Sequence, residues 1–212
     1  MTARRARLPL VAGLLALPAL LVACGGDDDA GPAPTTTFPA DFNAERCLVE
    51  VHGRSETGAA PRHEDGWAVL RPDGNEAHDP GRVWIYDTDE ALTAARGRIS
   101  EVVDAAGCAT VALHGFSNGA AFAAALACAG ETLDGRLVGV VVDDPVPDDA
   151  SPDCAVDDDV EVALYWTGGL EVDAGDSCDD LGWTCAGGDE LVGIDEYARR
   201  LGTTVQPSIH DT

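Results

Sequence analysis

Hydrophobic and polar positions along the chain change period several times, and each change marks an element. Cys47-Leu-Val-Glu-Val51 is a short apolar run closed by His52-Gly53, which predicts a strand and a turn. Residues 67–70 predict a second strand, stopped by Arg71-Pro72-Asp73-Gly74, where Pro and Gly together favour a reversal. Over residues 88–106 the apolar side chains Ala91, Leu92, Ala95, Ile99, Val102 and Val103 recur at helical spacing. A strand follows at 109–113, running into His114-Gly-Phe-Ser-Asn-Gly119, and then an Ala-rich helix at 120–129. That helix is apolar nearly all round, so it belongs in an interior. Residues 137–142 and 160–166 are continuous apolar strands, 189–201 reads as a helix, and 203–205 as a last short strand. Unbroken apolar strands alternating with helices predict the α/β class: a mostly parallel sheet of about six strands with helices on both faces. No internal repeat is visible.

The amino-terminal segment carries a different message. Arg4, Arg5 and Arg7 precede a 16-residue apolar stretch, 8–23, interrupted by Pro9 and Pro18. It is too short for a comfortable membrane span and has the layout of a signal peptide. Its end, Leu21-Val22-Ala23-Cys24, resembles the lipobox of bacterial lipoproteins. The resemblance implies that 1–23 is removed, that Cys24 takes the lipid, and that the protein is held on the extracytoplasmic face of the cell membrane. Residues 24–40, rich in Gly, Asp, Pro and Thr, cannot bury apolar surface and read as a flexible tether. One folded domain is expected over 41–212.

Composition narrows the partners. Against 38 Asp and Glu stand 13 basic residues, all of them Arg, for a formal net charge of −25. Such a surface repels phosphate backbones and anionic headgroups, so nucleic acid is excluded and membrane attachment is expected through Cys24 only. Six cysteines remain beyond it, at 47, 108, 128, 154, 178 and 185. In an oxidising compartment an even count suggests three disulfides, with 15 possible pairings. The cysteines show no C-x-x-C spacing and the histidines are scattered, so no metal site is expected.

The chemistry concentrates at Gly115-Phe116-Ser117-Asn118-Gly119, a G-x-S-x-G run between a predicted strand and a predicted helix. A chain reversing so sharply strains the serine backbone, and the glycines remove side chains that would strike their neighbours. In this context the sequence resembles the α/β-hydrolase superfamily, in particular its small, cutinase-like serine esterases, from about Cys47 to His210. The resemblance implies Ser117 as nucleophile and His210 as base. It also implies an acid in the loop after residue 166, with Glu171 first and Asp173, Asp180 and Asp189 as alternatives. It further implies an oxyanion hole from the backbone N–H of Arg54, or of Ser55, together with that of Asn118. The fold so implied sets the strands ending at His52 and His114 side by side, and with them the pairing Cys47–Cys108, Cys128–Cys154 and Cys178–Cys185. A minimal, lidless, monomeric enzyme is implied, cleaving small or polymeric carboxylic esters without a metal or organic cofactor. Two rival expectations stand beside it: a non-catalytic cell-envelope binding protein on a hydrolase scaffold, and a thioesterase or peptidase using the same Ser-His pair.

Overall fold

The computed structural model describes residues 44–149, 154–167, 173–178, 181, 185–187 and 190–207, all within the compact unit Pro32–Thr212. The expected signal segment 1–23, the expected tether 24–40 with Cys24, and the candidates Glu171, Asp180, Asp189 and His210 lie outside the described residues.

Strand β1 (Arg46–Val51) alternates buried Cys47, Val49 and Val51 with outward positions, as a pleated strand with one packed face must. On one side it pairs in parallel with β3 (Trp67–Arg71), and β2 (Ala59–Glu64) lies antiparallel against β3 at the sheet edge. On the other side β6 (Thr110–Phe116), β7 (Leu137–Asp143), β8 (Glu161–Trp166) and β9 (Val205–Pro207) follow, each parallel to its neighbour. The order is therefore β2-β3-β1-β6-β7-β8-β9, a seven-stranded, mostly parallel sheet of the expected α/β class. A separate antiparallel hairpin, β4 (Glu76–His78) with β5 (Gly81–Val83), stands outside it.

Helix α1 (Asp89–Ala106) begins where Thr88 Oγ1 accepts the Ala91 N–H at 3.1 Å, and Asp89 and Glu90 favour its positive end. It stops at Gly107, whose φ of 68° only glycine adopts at little cost. Helix α2 (Asn118–Cys128) has every residue buried, as its uniform apolarity required. Helix α3 (Ile194–Arg200) is shorter than the expected 189–201. Leu191 is held in an antiparallel bridge to Asp148, and Gly193 at φ 73° breaks the helical path before Ile194. Likewise the last strand begins at Val205 rather than at 203.

The buried faces of all three helices, through Ile99, Val103, Phe122, Leu126, Tyr197 and Leu201, meet Val49, Leu113, Val142 and Leu164 in one core. The two sets of alternating strand positions are unequally buried. Leu48, Ala112, His114, Val141 and Tyr165 on the other set are only half-buried, and Phe116 is exposed.

Three disulfides tie this frame together. Cys47 joins Cys108 at the start of neighbouring strands, with Cα atoms 5.8 Å apart. Cys128 at the end of α2 joins Cys154, and Cys178 joins Cys185. The loops they close differ greatly, spanning 61 residues for Cys47–Cys108 and 7 for Cys178–Cys185. Loop-closure entropy assigns roughly 4 kcal/mol to the longer and roughly 2 to the shorter. Replacing Cys47 and Cys108 together by Ala should therefore lower the urea midpoint more than replacing Cys178 and Cys185. Equal midpoints would show that the unfolded chain is not what these bridges restrain.

Candidate active site

Parallel sheets gather function at the carboxyl ends of their strands, and the ends of β1, β6, β7 and β8 form one rim here. Ser117 stands on it, between the last residue of β6 and the first of α2, with φ 53° and ψ −120°. That conformation is costly for a residue with a side chain, about 1–3 kcal/mol. The surrounding backbone holds it in place. The Ser117 N–H donates to Asp143 O at 3.0 Å, and its own carbonyl accepts from the N–H groups of Ala120 and Ala121. Although Ser117 occupies the N-cap position of α2, its hydroxyl makes no capping hydrogen bond. It is half-buried at the rim.

The two flanking glycines are required by contact. A methyl group at Gly119 would overlap the carbonyl oxygens of Val51 and His52, and one at Gly115 would overlap the backbone of Gly119 and Ala120. The first turn of α2 thus rests directly on the end of β1. This contact brings the His52-Gly53-Arg54 turn to the serine. The place where a Gly53 Cβ would stand is 3.6 Å from Ser117 Cβ, 3.5 Å from Phe116 Cδ1 and 3.4 Å from Glu56 Oε1. Phe116, 41% exposed, therefore offers an apolar ring beside the nucleophile. The Glu56 carboxylate nearby is paired with Arg71.

Buried polar groups lock the turn and the elbow to the rest of the fold. His52 Nε2 accepts the Gly74 N–H at 3.1 Å, which leaves Nδ1 to carry the proton it donates to Gly53 O at 2.7 Å. Burial disfavours the imidazolium and lowers the His52 pKa below its ordinary 6.5, although the bond to Gly53 O pulls the other way. The Asn118 side chain is buried and doubly bonded to one residue. Its Oδ1 accepts the Trp84 N–H at 2.9 Å and its Nδ2 donates to Trp84 O at 3.0 Å. Trp84 in turn stacks on Phe122 of α2, with ring centroids 4.7 Å apart.

Among the expected oxyanion donors, Asn118 begins α2 and Arg54 lies in the adjoining turn. The Ser55 alternative is removed by its own hydrogen bond, because its N–H donates to Arg82 O at 2.8 Å. Of the acid candidates only Asp173 is described. It is exposed in a tight turn, where its N–H donates to Asp176 Oδ2 at 3.0 Å. Asp176 O and Gly175 N–H bond Leu191, so this segment is anchored to the bridge with Asp148. Asp148 is itself buried and accepts the Tyr86 hydroxyl at 2.7 Å. Burial and that carboxylate push the Tyr86 phenol well above its usual range.

Several of these partners escape sequence reasoning. His52 with Gly74, Asn118 with Trp84, and the pair Asp143–His114 at 3.4 Å join residues 22 to 34 positions apart, and no local pattern announces them. Among the described residues no group of His, Cys, Asp and Glu is arranged to hold a metal ion, and no helix is long and apolar enough to cross a membrane.

No protein-family model and no curated protein matches this chain. Among solved structures it is similar to a Bacillus cereus carboxylesterase, at 14% identity over 77% of each chain with a TM-score of 0.48. A protein of unknown function from Agrobacterium tumefaciens aligns at 17% identity over 84% of each chain, TM-score 0.46. A Pyrococcus furiosus esterase aligns at 14% identity, covering 80% of this chain and 77% of its own, TM-score 0.42.

Two measurements test the packing of the elbow. Gly119→Ala must displace β1 or α2, so it should cost about 1–3 kcal/mol or more, the range for overpacking. Gly97→Ala, on the exposed face of α1 with open space around it, should instead stabilise by about 0.5–1 kcal/mol. Chemical denaturation that ranks the two alike would contradict the close approach. The His52 environment sets a pH dependence. Because its folded pKa lies below the unfolded 6.5, the unfolded chain takes up the proton first, and stability falls as pH drops through that value. His52→Gln, which keeps an acceptor for Gly74 without titrating, should flatten the loss between about pH 6.5 and 5. Identical slopes in urea midpoint against pH would place the titration elsewhere.

Proposed function

We propose that this chain is a serine hydrolase of the α/β-hydrolase superfamily that cleaves carboxylic esters. One observation carries the reading: Ser117 is held at positive φ on a strand-to-helix turn, its hydroxyl unused by the helix cap, with the Gly53 turn packed against it. A protein does not maintain a strained serine at a strand's carboxyl end without return, and exposing a nucleophile beside backbone donors is the use this geometry serves. The position of the serine at the carboxyl end of a strand in a mostly parallel sheet supports it.

In the proposed reaction Ser117 Oγ attacks the ester carbonyl carbon while His210 takes the hydroxyl proton. A carboxylate, Glu171 in the first instance with Asp173, Asp180 and Asp189 as alternatives, orients the imidazole and stabilises its charged form. Negative charge forms on the carbonyl oxygen, where the N–H groups of Arg54 and Asn118 would receive it. Collapse of the tetrahedral species expels the alcohol, which leaves with the proton from His210. Water then repeats the sequence on the acyl-enzyme and frees Ser117. The ring of Phe116 supplies an apolar surface for the acyl or alkoxy group. Export and anchoring through lipid on Cys24 complete the proposal, placing the enzyme against extracytoplasmic esters.

A fluorophosphonate tests the central step. The oxidised protein should be labelled stoichiometrically, the adduct should map to Ser117, and Ser117→Ala should take no label. In parallel kcat for p-nitrophenyl acetate should drop at least about a thousandfold in Ser117→Ala and in His210→Ala. A folded protein that takes no label has no working nucleophile, and the enzyme reading then falls.

A further inference from the structure

The hairpin formed by β4 and β5 has no place in the main sheet, yet it is fitted closely to the turn beside Ser117. A methyl group at Gly81 would overlap the carbonyl oxygens of Ser55 and Glu56, and one at Gly74 would overlap the Val83 carbonyl. Ser55 donates its N–H to Arg82 O, and Arg82 returns its own N–H to Glu56 O, both at 2.8 Å. The Arg82 side chain continues the seam, with Nε donating to Gly74 O at 3.0 Å. Gly74 is the residue whose N–H meets His52 Nε2, so the hairpin, the His52 ring and the Gly53 turn form one closed circuit of hydrogen bonds.

A single side-chain contact closes that circuit on the outer side. Ser55 Oγ lies 3.0 Å from His78 Nδ1, across 23 residues of sequence. Ser55 is also one of the few non-glycine residues at positive φ, 65°. Its backbone is therefore held in a conformation it would leave if released, at a cost of about 1–3 kcal/mol. Any relaxation of Ser55 rotates the peptide units on either side of it; the one before it carries the Arg54 carbonyl, so the Arg54 N–H, one unit further back, is disturbed through the backbone of the Gly53–Glu56 turn. A donor aimed at a developing oxyanion must be preorganised, since its contribution depends on being oriented before charge appears.

We infer that the β4–β5 hairpin is a latch on the oxyanion-binding turn and that His78, acting through the Ser55 hydroxyl, is a positioning residue for transition-state stabilisation. This rests on Ser117 being the nucleophile of an ester hydrolase. His78 touches no reacting atom. Its work is to hold Ser55 Oγ, and with it the Gly53–Glu56 turn that carries the Arg54 N–H.

The test uses the oxidised full chain with Ser55→Ala, His78→Ala and His78→Asn, whose Oδ1 stands close to the former Nδ1 position and can accept the Ser55 hydroxyl. In Ser55→Ala and His78→Ala, kcat for p-nitrophenyl acetate should fall about tenfold with KM within about twofold, because ground-state binding does not use the oxyanion donors. Inhibition by a phenyl trifluoromethyl ketone, which forms an oxyanion on Ser117, should weaken by the same factor. Backbone deuterium exchange should rise in the peptide spanning 53–56, and His78→Asn should recover most of the lost kcat. If His78→Ala does not fold, Ser55→Ala and His78→Asn carry the same comparison. Unchanged kcat in a folded Ser55→Ala, or a fall matched by no change in ketone affinity, overturns the latch while leaving the hydrolase intact. A wild-type protein that takes no fluorophosphonate defeats the hydrolase reading itself, and the latch with it.

Discussion

The contact between the first turn of α2 and the end of β1 is the constraint on which the rest of the structure depends. Gly119 lies so near the carbonyls of Val51 and His52 that no side chain fits there, and Gly115 faces the same limitation against Ala120. With the helix so close, α2 packs mostly through small groups: six of its eleven residues are alanines, and Phe122 and Leu126 are its two large side chains. Even its one large aromatic residue, Phe122, is accommodated by lying parallel to the Trp84 ring. The strain at Ser117 follows from the same contact, since a chain leaving β6 must reverse within one residue to lay α2 against β1. Packing over α2 and β6, in a core that is continuous across the sheet, offsets that local cost.

Burying the elbow also forces polar groups inside, and each must find a partner or cost on the order of 1–3 kcal/mol. The solutions tie irregular segments to the sheet. Asn118 holds the backbone of Trp84, His52 holds Gly74, and Asp148 accepts the Tyr86 hydroxyl while bridging to Leu191. Every one of these bonds joins the rim to chain between β3 and α1, or to the segment before α3. The stretch 72–86, whose regular structure is confined to the β4–β5 hairpin, is thereby tied to the rim where it faces the candidate site. The bonds that satisfy these buried groups are the same ones that fix the turn beside Ser117, so a change there alters stability and the geometry of the rim together.

The fold was legible wherever local pattern and burial agree. The apolar run of β1, the continuous runs of β7 and β8, the helical spacing of α1, and the glycines around Ser117 each dictate one structure. Legibility failed where tertiary contact supplies the reason. Ala59–Glu64 has no period and a proline, and becomes a strand only because β3 offers an edge. The β4–β5 hairpin reads as polar loop, yet it is shaped by Ser55, Glu56 and Arg82. Before α3 the helical period continues, but Leu191 is claimed by Asp148. Among site residues the serine announces itself because its backbone demands particular neighbours. The acid does not, since in a chain with 38 carboxylates the loop after β8 is acidic for reasons of solubility as much as chemistry.

That acidity bears on how an oxyanion could form at all in this protein. A net charge of −25 opposes further negative charge, but the opposition is long-range and screened beyond about 8–10 Å at ordinary ionic strength. What matters is the first few ångströms around Ser117. There the Glu56 carboxylate beside the Gly53 turn is paired with Arg71, and Asp143 faces His114 while lending its backbone carbonyl to the serine N–H. The amino end of α2 adds a partial positive charge aimed at the same spot, and unlike the surface acids it is fixed, close and partly shielded from water. Local dipoles therefore prevail over net charge at the elbow. A molecule that comes within a Debye length of the surface would meet its acidity, which disfavours multiply anionic ligands relative to neutral ones.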